Sequence, residues 1–185
     1  MLKRIAVIDL GSNTFNLLIA EKSNKGINRI FMDRIPVKLG GGSFENKIIS
    51  LDAINRAMDA IEKYRQTASV YNCEKVYAFA TSAMRDAKNG TELKYKIESF
   101  DISVEIIDGN KEAEYIYMGA MASNVIKEMS LIMDIGGGST EFIIADAIKI
   151  YWKRSYQLGV TRLYDMFKPS DPIKPDEIEK IEKNI

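Results

Sequence analysis

Two short loops of similar sequence contain the residues whose types and spacing best suit chemistry. Each loop places an aspartate at the end of an apolar segment and follows it with glycine and hydroxyl residues: Asp9-Leu10-Gly11-Ser12-Asn13-Thr14 and Asp134-Ile135-Gly136-Gly137-Gly138-Ser139. Glycine lets the backbone approach a ligand, so main-chain N–H groups can donate to phosphate oxygens, and the aspartate can orient water or a divalent cation. A single loop of this kind fits a plain hairpin turn equally well.

The two loops form an internal repeat. Their aspartates are separated by 134 − 9 = 125 positions, and the same offset continues to Ala20 and Ala145. A fixed offset with matching chemistry indicates duplication, and duplicated loops can bind one polyphosphate between them. Neither loop has the Gly-Lys-Ser/Thr of a P-loop or the Gly-x-Gly-x-x-Gly of a dinucleotide site, so both of those interpretations are excluded.

The sequence around and after the first loop predicts a sheet followed by alternating helices and strands. Apolar runs and turn residues predict strands at 5–10, 15–20 and 27–37, with a turn at 24–26, and later strands at 75–80 and 104–107. Periodic apolar positions predict a helix capped by Ser50 and further helices at 90–100 and 110–125. Gly119 weakens the last helix, which a closely packed second helix or simple tolerance would explain.

The second copy is shorter than the first. Strands near 141–145 and 148–155, a helix near 161–167 and a helix from Pro175 onward follow its loop. We therefore predict a first domain at residues 1–125 and the N-terminal part of a second at 126–185. With only about 60 residues in the second copy, we expect a fragment of a protein of at least about 250 residues, weakly active at most, in which the strand carrying Asp134 has an unpaired apolar edge.

Composition excludes several classes of chemistry. The 185 residues contain 26 Lys plus Arg, 26 Asp plus Glu, one Cys and no His. Without histidine there is no imidazole base and no His-ligated zinc, so acid–base or metal chemistry must use carboxylates. Balanced charge argues against general nucleic-acid binding, and the absence of a signal peptide or a long apolar run predicts a cytoplasmic protein without a membrane partner.

Four motifs in order make the chain resemble the exopolyphosphatase and guanosine pentaphosphate phosphatase (Ppx/GppA) family. They are the two loops, extended to Phe15 and Glu141, together with Ala80-Thr81-Ser82-Ala83-Met84-Arg85-Asp86-Ala87 and Ile107-Asp108-Gly109-Asn110-Lys111-Glu112-Ala113. The resemblance covers residues 5 to about 163. It departs mildly at Thr14, where Ser is usual, and at Lys38, where Arg is frequent. It implies an α/β, actin-like fold made of a duplicated ribonuclease-H-like domain whose second copy is incomplete here.

The resemblance assigns catalysis to Glu112, as the base that activates water. From the residues alone, a carboxylate in the first turn of a helix is explained more simply by the helix dipole. Glu114 is expected on a different helix face, in solvent.

The resemblance also implies a magnesium site and phosphate contacts. It places Asp134 and Glu141 at Mg²⁺, with Asp9 as the symmetry mate that could hold a second ion or a water. The implied phosphate-binding residues are Gly11, Ser12, Asn13, Thr14, Lys38, Arg85, Gly136, Gly137, Gly138 and Ser139. Arg162 is a weaker candidate, and Lys38, Arg85 and Arg162 could alternatively be surface cations.

The predicted function is Mg²⁺-dependent release of terminal phosphate from inorganic polyphosphate or guanosine pentaphosphate. The three cations above favour polyphosphate slightly, because it presents many charges along a thread. The alternatives are a non-hydrolytic nucleotide or polyphosphate sensing module and an actin-like ATPase or kinase. A homodimer is an arrangement that the sequence leaves open.

Overall fold

The computed structural model describes residues 3–23 and 26–185, which form two compact units, Met1–Ile107 and Asp108–Ile185. The first unit contains β1 (Arg4–Leu10), β2 (Thr14–Ser23), β3 (Gly26–Pro36), α1 (Ser43–Asn46), α2 (Leu51–Val70), β4 (Lys75–Ala80), α3 (Ser82–Asp86), α4 (Gly90–Glu98) and β5 (Ser103–Ile106). The second contains α5 (Gly109–Ala122), β6 (Ser130–Ile135), β7 (Thr140–Ala145), β8 (Ile150–Tyr156), α6 (Val160–Phe167) and α7 (Pro175–Glu182).

The first unit is a five-stranded mixed sheet in the order β3-β2-β1-β4-β5. β1 pairs antiparallel with β2 and parallel with β4, as the predicted hairpin and the later alternation of helices and strands require. Alternate residues of β1, including Ile8, are buried against the apolar stripe of α2. Tyr64 of α2 is fully buried, and its hydroxyl donates to the carbonyl of Phe15 at 2.9 Å. This contact holds α2 against the start of β2, which directly follows the first loop.

The second unit is a three-stranded antiparallel sheet in the order β6-β7-β8, with α5 packed on β7 and β8. Ala113 of α5 and Ile143 of β7 form part of its small buried core. Among the described residues β6 pairs with β7 alone, and Leu131, Met133 and Ile135 are exposed on β6. The predicted unpaired edge with apolar side chains is therefore present.

Most predicted elements are found within a few residues of their expected positions. The cap at Ser50 is confirmed, because its hydroxyl accepts from the N–H of Ala53 at 3.2 Å. Two short helices, α1 and α3, were not predicted, and Arg85 lies in α3. The predicted turn at 24–26 falls partly on Asn24 and Lys25, outside the described residues.

The packing boundary precedes α5, whereas the predicted domain boundary at 125/126 follows it. The difference arises because α5 buries its apolar side chains against β7 of the second unit. An added Cβ at Gly119 would meet nothing within 4 Å, so simple tolerance of this glycine is sufficient. In the part of the chain described, no helix is long and apolar enough to span a bilayer.

Candidate active-site loops and their carboxylates

The first loop connects β1 to β2 and is held by a neighbouring segment. The carbonyl of Ser12 accepts from the N–H of Gly40, and the carbonyl of Asn13 accepts from the N–H of Lys38, both at 2.7 Å. In a planar trans peptide the carbonyl and the following N–H point in opposite directions. The N–H groups of Asn13 and Thr14 therefore point away from this segment, in the orientation an anion would need.

Gly11 and Ser12 shape this loop from within. A Cβ on Gly11 would lie 2.7 Å from the carbonyl oxygen of Thr14, so only glycine fits there. The buried hydroxyl of Ser12 lies 2.8 Å from that of Ser82 and accepts from the N–H of Ala83 at 3.2 Å. This hydroxyl connects the loop to the start of α3, and only the main chain of Ser12 is left to serve as a phosphate contact.

Asp9 is the penultimate residue of β1, and its exposed carboxylate is oriented by neighbouring side chains. Its Oδ2 accepts from Nδ2 of Asn16 at 2.9 Å, and Oδ1 of Asn16 accepts from Nε of Arg34 at 3.0 Å. These contacts fix the direction of the Asp9 carboxylate at the carboxyl end of its strand.

The two basic candidates of the first unit differ in their surroundings. Lys38 has a left-handed backbone with φ of 53° and an exposed side chain, while its carbonyl accepts from Nη2 of Arg56 at 3.4 Å. Arg85 is half-buried, and its Nη1 donates to the carbonyl of Ile107 at 2.9 Å just after β5. One N–H group of the Arg85 guanidinium therefore connects α3 to the chain just after β5.

The second loop has the same design as the first. The carbonyl of Gly136 accepts from the N–H of Val160 at 3.1 Å, and the carbonyl of Gly137 accepts from the N–H of Thr161 at 2.8 Å. These two bonds from the first turn of α6 direct the N–H groups of Gly137 and Gly138 away from α6. Each unit therefore offers a pair of main-chain donors in the loop that follows an aspartate near the end of a strand.

A Leu-Gly pair follows the third strand of each sheet, Leu39-Gly40 in the first and Leu158-Gly159 in the second, and this repetition was not predicted from the sequence. Gly40 and Gly159 both pack directly on the loop, since a Cβ on Gly40 would lie 3.2 Å from Cβ of Ser12 and one on Gly159 would lie 2.5 Å from backbone atoms of Gly137. Ser12 and Gly137 are themselves equivalent, because 137 − 12 = 125. Extending the repeat beyond its first strands, with an allowance for a shorter hairpin, would have revealed this pair.

Two carboxylates lie side by side near the second loop. Asp134 on β6 and Glu141 on β7 are directly opposite in register, so their side chains project from the same face of the sheet. Glu141 is only 2% exposed, and its Oε1 accepts from the hydroxyl of Ser155 on β8 at 2.6 Å. A Cβ on Gly109 would lie 2.5 Å from that hydroxyl, so the first turn of α5 rests on the Ser155–Glu141 pair.

The donor set suits magnesium with an incomplete protein shell. Mg²⁺ in proteins typically takes one or two carboxylates and completes its octahedron with water and substrate phosphate. Within residues 3–23 and 26–185, no group of three or more His, Cys, Asp or Glu side chains gathers into a metal cage. The paired carboxylates of Asp134 and Glu141 match the one or two carboxylates of such an open site, whereas Asp9 belongs to the other unit.

Glu112 and Glu114 occupy different sides of α5. Asp108 caps this helix through a 2.8 Å bond from the N–H of Lys111, which places Glu112 in the first turn. Positions two apart on a helix differ by about 200°. Because Glu114 reaches Lys153 on β8, the helical angle places Glu112 on a different flank of α5 from Glu114.

Glu114 is not a freely solvated side chain, so that expectation is wrong. Its carboxylate accepts a hydrogen bond from Lys153 and lies 3.5 Å from Nζ of Lys111. The hydrogen bond from Lys153 is the main reason that the pKa of Glu114 lies below its ordinary value. A carboxylate held in its charged form in this way is a poor general base compared with one free to take a proton.

Gly159→Ala is expected to destabilise the second unit by about 1–3 kcal/mol, because the new methyl group would collide with backbone atoms rather than with movable side chains. Gly119→Ala is the matched control, since it has open space and should be stabilising by about 0.5–1 kcal/mol. Urea unfolding followed by fluorescence of Trp152, the single tryptophan, reports on this unit. A Gly159→Ala chain as stable as the wild type would contradict the close packing.

Comparisons with known proteins find relatives over most of the chain. Residues 18–185 match the Ppx/GppA phosphatase family. The chain is 37% identical over 172 residues to a bifunctional 3-dehydroquinate synthase/phosphatase of Fusobacterium nucleatum, covering 88% of this chain and 26% of that protein. It is 30% identical over 165 residues to a guanosine-5'-triphosphate,3'-diphosphate pyrophosphatase of Vibrio cholerae, covering 88% of this chain and 33% of that protein.

The solved structures give the same result for the fold. The crystal structure of an exopolyphosphatase from Cytophaga hutchinsonii superposes with a TM-score of 0.90 at 39% identity, covering 95% of this chain and 57% of that one. The chain thus spans little more than half of the solved relative and about a quarter to a third of the two curated relatives. The α/β architecture is actin-like, as the sequence motifs implied. The chain belongs to the Ppx/GppA phosphatase family.

Proposed function

We propose that the protein hydrolyses the terminal phosphoanhydride bond of a linear phosphate chain, with inorganic polyphosphate or the 5′ end of guanosine pentaphosphate as substrate and Mg²⁺ as cofactor. The observation that carries this proposal is the repeated loop design. In each unit the loop carbonyls accept bonds from a neighbouring segment, and the loop N–H groups are directed away from it beside an aspartate. Outward N–H groups in series are a general device for binding phosphate oxygens.

The main-chain and side-chain groups of the loops would have separate roles in binding substrate and metal. In each unit the loop N–H groups would donate to phosphate oxygens: those of Asn13 and Thr14 in the first unit and those of Gly137 and Gly138 in the second. Asp134 and Glu141 would hold Mg²⁺, which when bound neutralises substrate charge and stabilises the charge developing on the leaving oxygen.

Glu112 would accept the proton of the attacking water. As the water oxygen bonds to the terminal phosphorus, the bridging P–O bond breaks and the shortened chain leaves with the bridging oxygen. Glu112 suits this role by its place in the first turn of α5, on the flank opposite the ion-paired Glu114. Proton transfer requires a group of this kind within hydrogen-bonding reach of the water.

The choice between the two substrates rests on fewer cations than the sequence suggested. Arg85 already donates to a main-chain carbonyl, and Arg162 is buried in α6 rather than lining a solvated path. Lys38 remains exposed. Both substrates share the terminal phosphoanhydride, so the proposal is stated for that bond.

The test is release of inorganic phosphate by the full-length protein from long-chain polyphosphate and, separately, from guanosine pentaphosphate, each with Mg²⁺ and with chelator. We expect release that depends on Mg²⁺ from at least one substrate, and competition between the two ranks them. Tight binding of both substrates without release would support a sensing module instead. Release from ATP alone would support an actin-like ATPase.

A further inference from the structure

Arg162 is a buried cation in contact with the second loop. It lies in the first turn of α6, is 8% exposed, and its Nε donates to the carbonyl of Gly138 at 2.6 Å. A buried guanidinium is uncommon unless its charge and donors are used locally. Asp165, also buried, lies three residues further along α6, on the same helix face.

The hydrogen bond from Arg162 is the third to consecutive carbonyl groups of the second loop. Main-chain N–H groups of α6 hold the carbonyls of Gly136 and Gly137, but the next carbonyl, that of Gly138, is held by the Arg162 side chain. By peptide planarity this third bond directs the N–H of Ser139 the same way as those of Gly137 and Gly138. By this argument three consecutive N–H groups of the loop, rather than two, are directed away from α6.

The first unit achieves the same orientation without a side chain. There the carbonyl of Asn13, equivalent to Gly138 by the 125-residue offset, accepts from the main-chain N–H of Lys38. In the second unit that position is a glycine, whose backbone rotates freely unless it is held. The guanidinium therefore supplies a restraint that the main chain supplies in the other copy.

We propose that Arg162 is a positioning residue for the phosphate loop. Its Nε–H fixes the Gly138–Ser139 peptide so that the N–H of Ser139 donates to a phosphate oxygen, and its charge is not a phosphate contact. This inference rests on the proposed function, because it assumes that the loop binds phosphate. It assigns to Arg162 a role different from the direct phosphate contact or surface cation expected from the sequence.

Two substitutions separate the donor from the charge. Arg162→Gln places an N–H donor the same number of bonds from the backbone as Nε but carries no charge. Arg162→Met has similar length but neither donor nor charge. Both variants remove the same positive charge from the helix face that carries Asp165, so any effect on Asp165 is common to the two. Arg154→Met is the matched control. Arg154 precedes Ser155 on β8, so it projects from the face of the sheet opposite to Ser155 and Glu141. Its guanidinium stacks on Tyr156 with 5.0 Å to the ring centroid.

The measurements are the amide resonance of Ser139 in the ligand-free chain and the dissociation constant for inorganic tripolyphosphate with Mg²⁺. We expect Arg162→Met to shift that resonance and weaken tripolyphosphate binding by about 10- to 100-fold, the range for losing a charge-assisted hydrogen bond. Arg162→Gln should remain close to the wild type in both measurements, and Arg154→Met should be unchanged.

Two results would overturn the proposal. Equal loss of affinity in the Gln and Met variants, with the Ser139 resonance unmoved, would make Arg162 a direct phosphate contact. A Met variant identical to the wild type would remove any role. If the wild type does not bind tripolyphosphate, the proposed function fails, but the ligand-free Ser139 resonances still decide the positioning role.

A measurement on the wild type covers the case in which Arg162→Met does not fold. The Nε–H of Arg162 should be protected from solvent exchange and coupled to the Gly138 carbonyl, equally with and without tripolyphosphate. Fast exchange in the free chain, or transfer of that bond to the ligand, would contradict the proposal.

Discussion

Glu112→Gln is expected to lower turnover of the full-length protein by about 10²- to 10⁴-fold while folding and substrate binding persist, because that is the usual contribution of a positioned general base. The amide keeps the size and most contacts of the carboxylate but cannot accept the proton of the attacking water. Steady-state phosphate release gives turnover, and equilibrium binding of polyphosphate to the same variant gives affinity.

Glu114→Gln is the matched control for this prediction. It removes a carboxylate from the same helix, two residues away, but on the side that pairs with Lys153. It should retain most of the turnover and lose only the ion pairs with Lys153 and Lys111. If Glu112→Gln keeps more than half of the wild-type turnover, or if both variants lose activity equally, Glu112 is not the base.

Asp134→Asn and Glu141→Gln are each expected to raise the Mg²⁺ concentration needed for half-maximal activity by more than about 100-fold, because loss of an outer-shell partner alone typically costs about 10- to 100-fold. Both substitutions remove a charged oxygen ligand with little change of shape. Metal titrations of phosphate release at fixed substrate measure the shift, and metal binding followed by calorimetry gives a value that does not depend on turnover.

Ser155→Ala is expected to give an intermediate shift in the Mg²⁺ concentration needed for half-maximal activity. It removes the hydroxyl that donates to Glu141 without removing a ligand, so its shift should be smaller than that of Glu141→Gln. Asp9→Ala, in the other unit, should act mainly on substrate affinity. Titration curves for Asp134→Asn and Glu141→Gln that overlay the wild type would show that these residues are not ligands.

The features predictable from the sequence are those that local patterns determine. Strand β4 was predicted at its observed bounds, because a short apolar run between polar residues has few other solutions. The cap of α2 at Ser50 follows from its hydroxyl and the periodic positions behind it. Helices α1 and α3 were missed because four or five residues are too few to show a helical period.

The features that could not be predicted depend on contacts between distant positions. The pairing of Glu114 with Lys153 requires the register of β8, 39 residues away. The burial of Arg162 is contrary to the usual exposure of arginine and follows only from the docking of α6 on the second loop. The internal use of the Ser12 hydroxyl likewise depends on where α3 begins.

The proposed water attack is tested most directly by running the reaction of the full-length protein in H₂¹⁸O with Mg²⁺ and long-chain polyphosphate. The proposed mechanism predicts that each inorganic phosphate released carries one ¹⁸O atom and that the shortened chain remains unlabelled, because water bonds to the terminal phosphorus. Label in the remaining chain, or substrate that stays bound without any phosphate release, would contradict it.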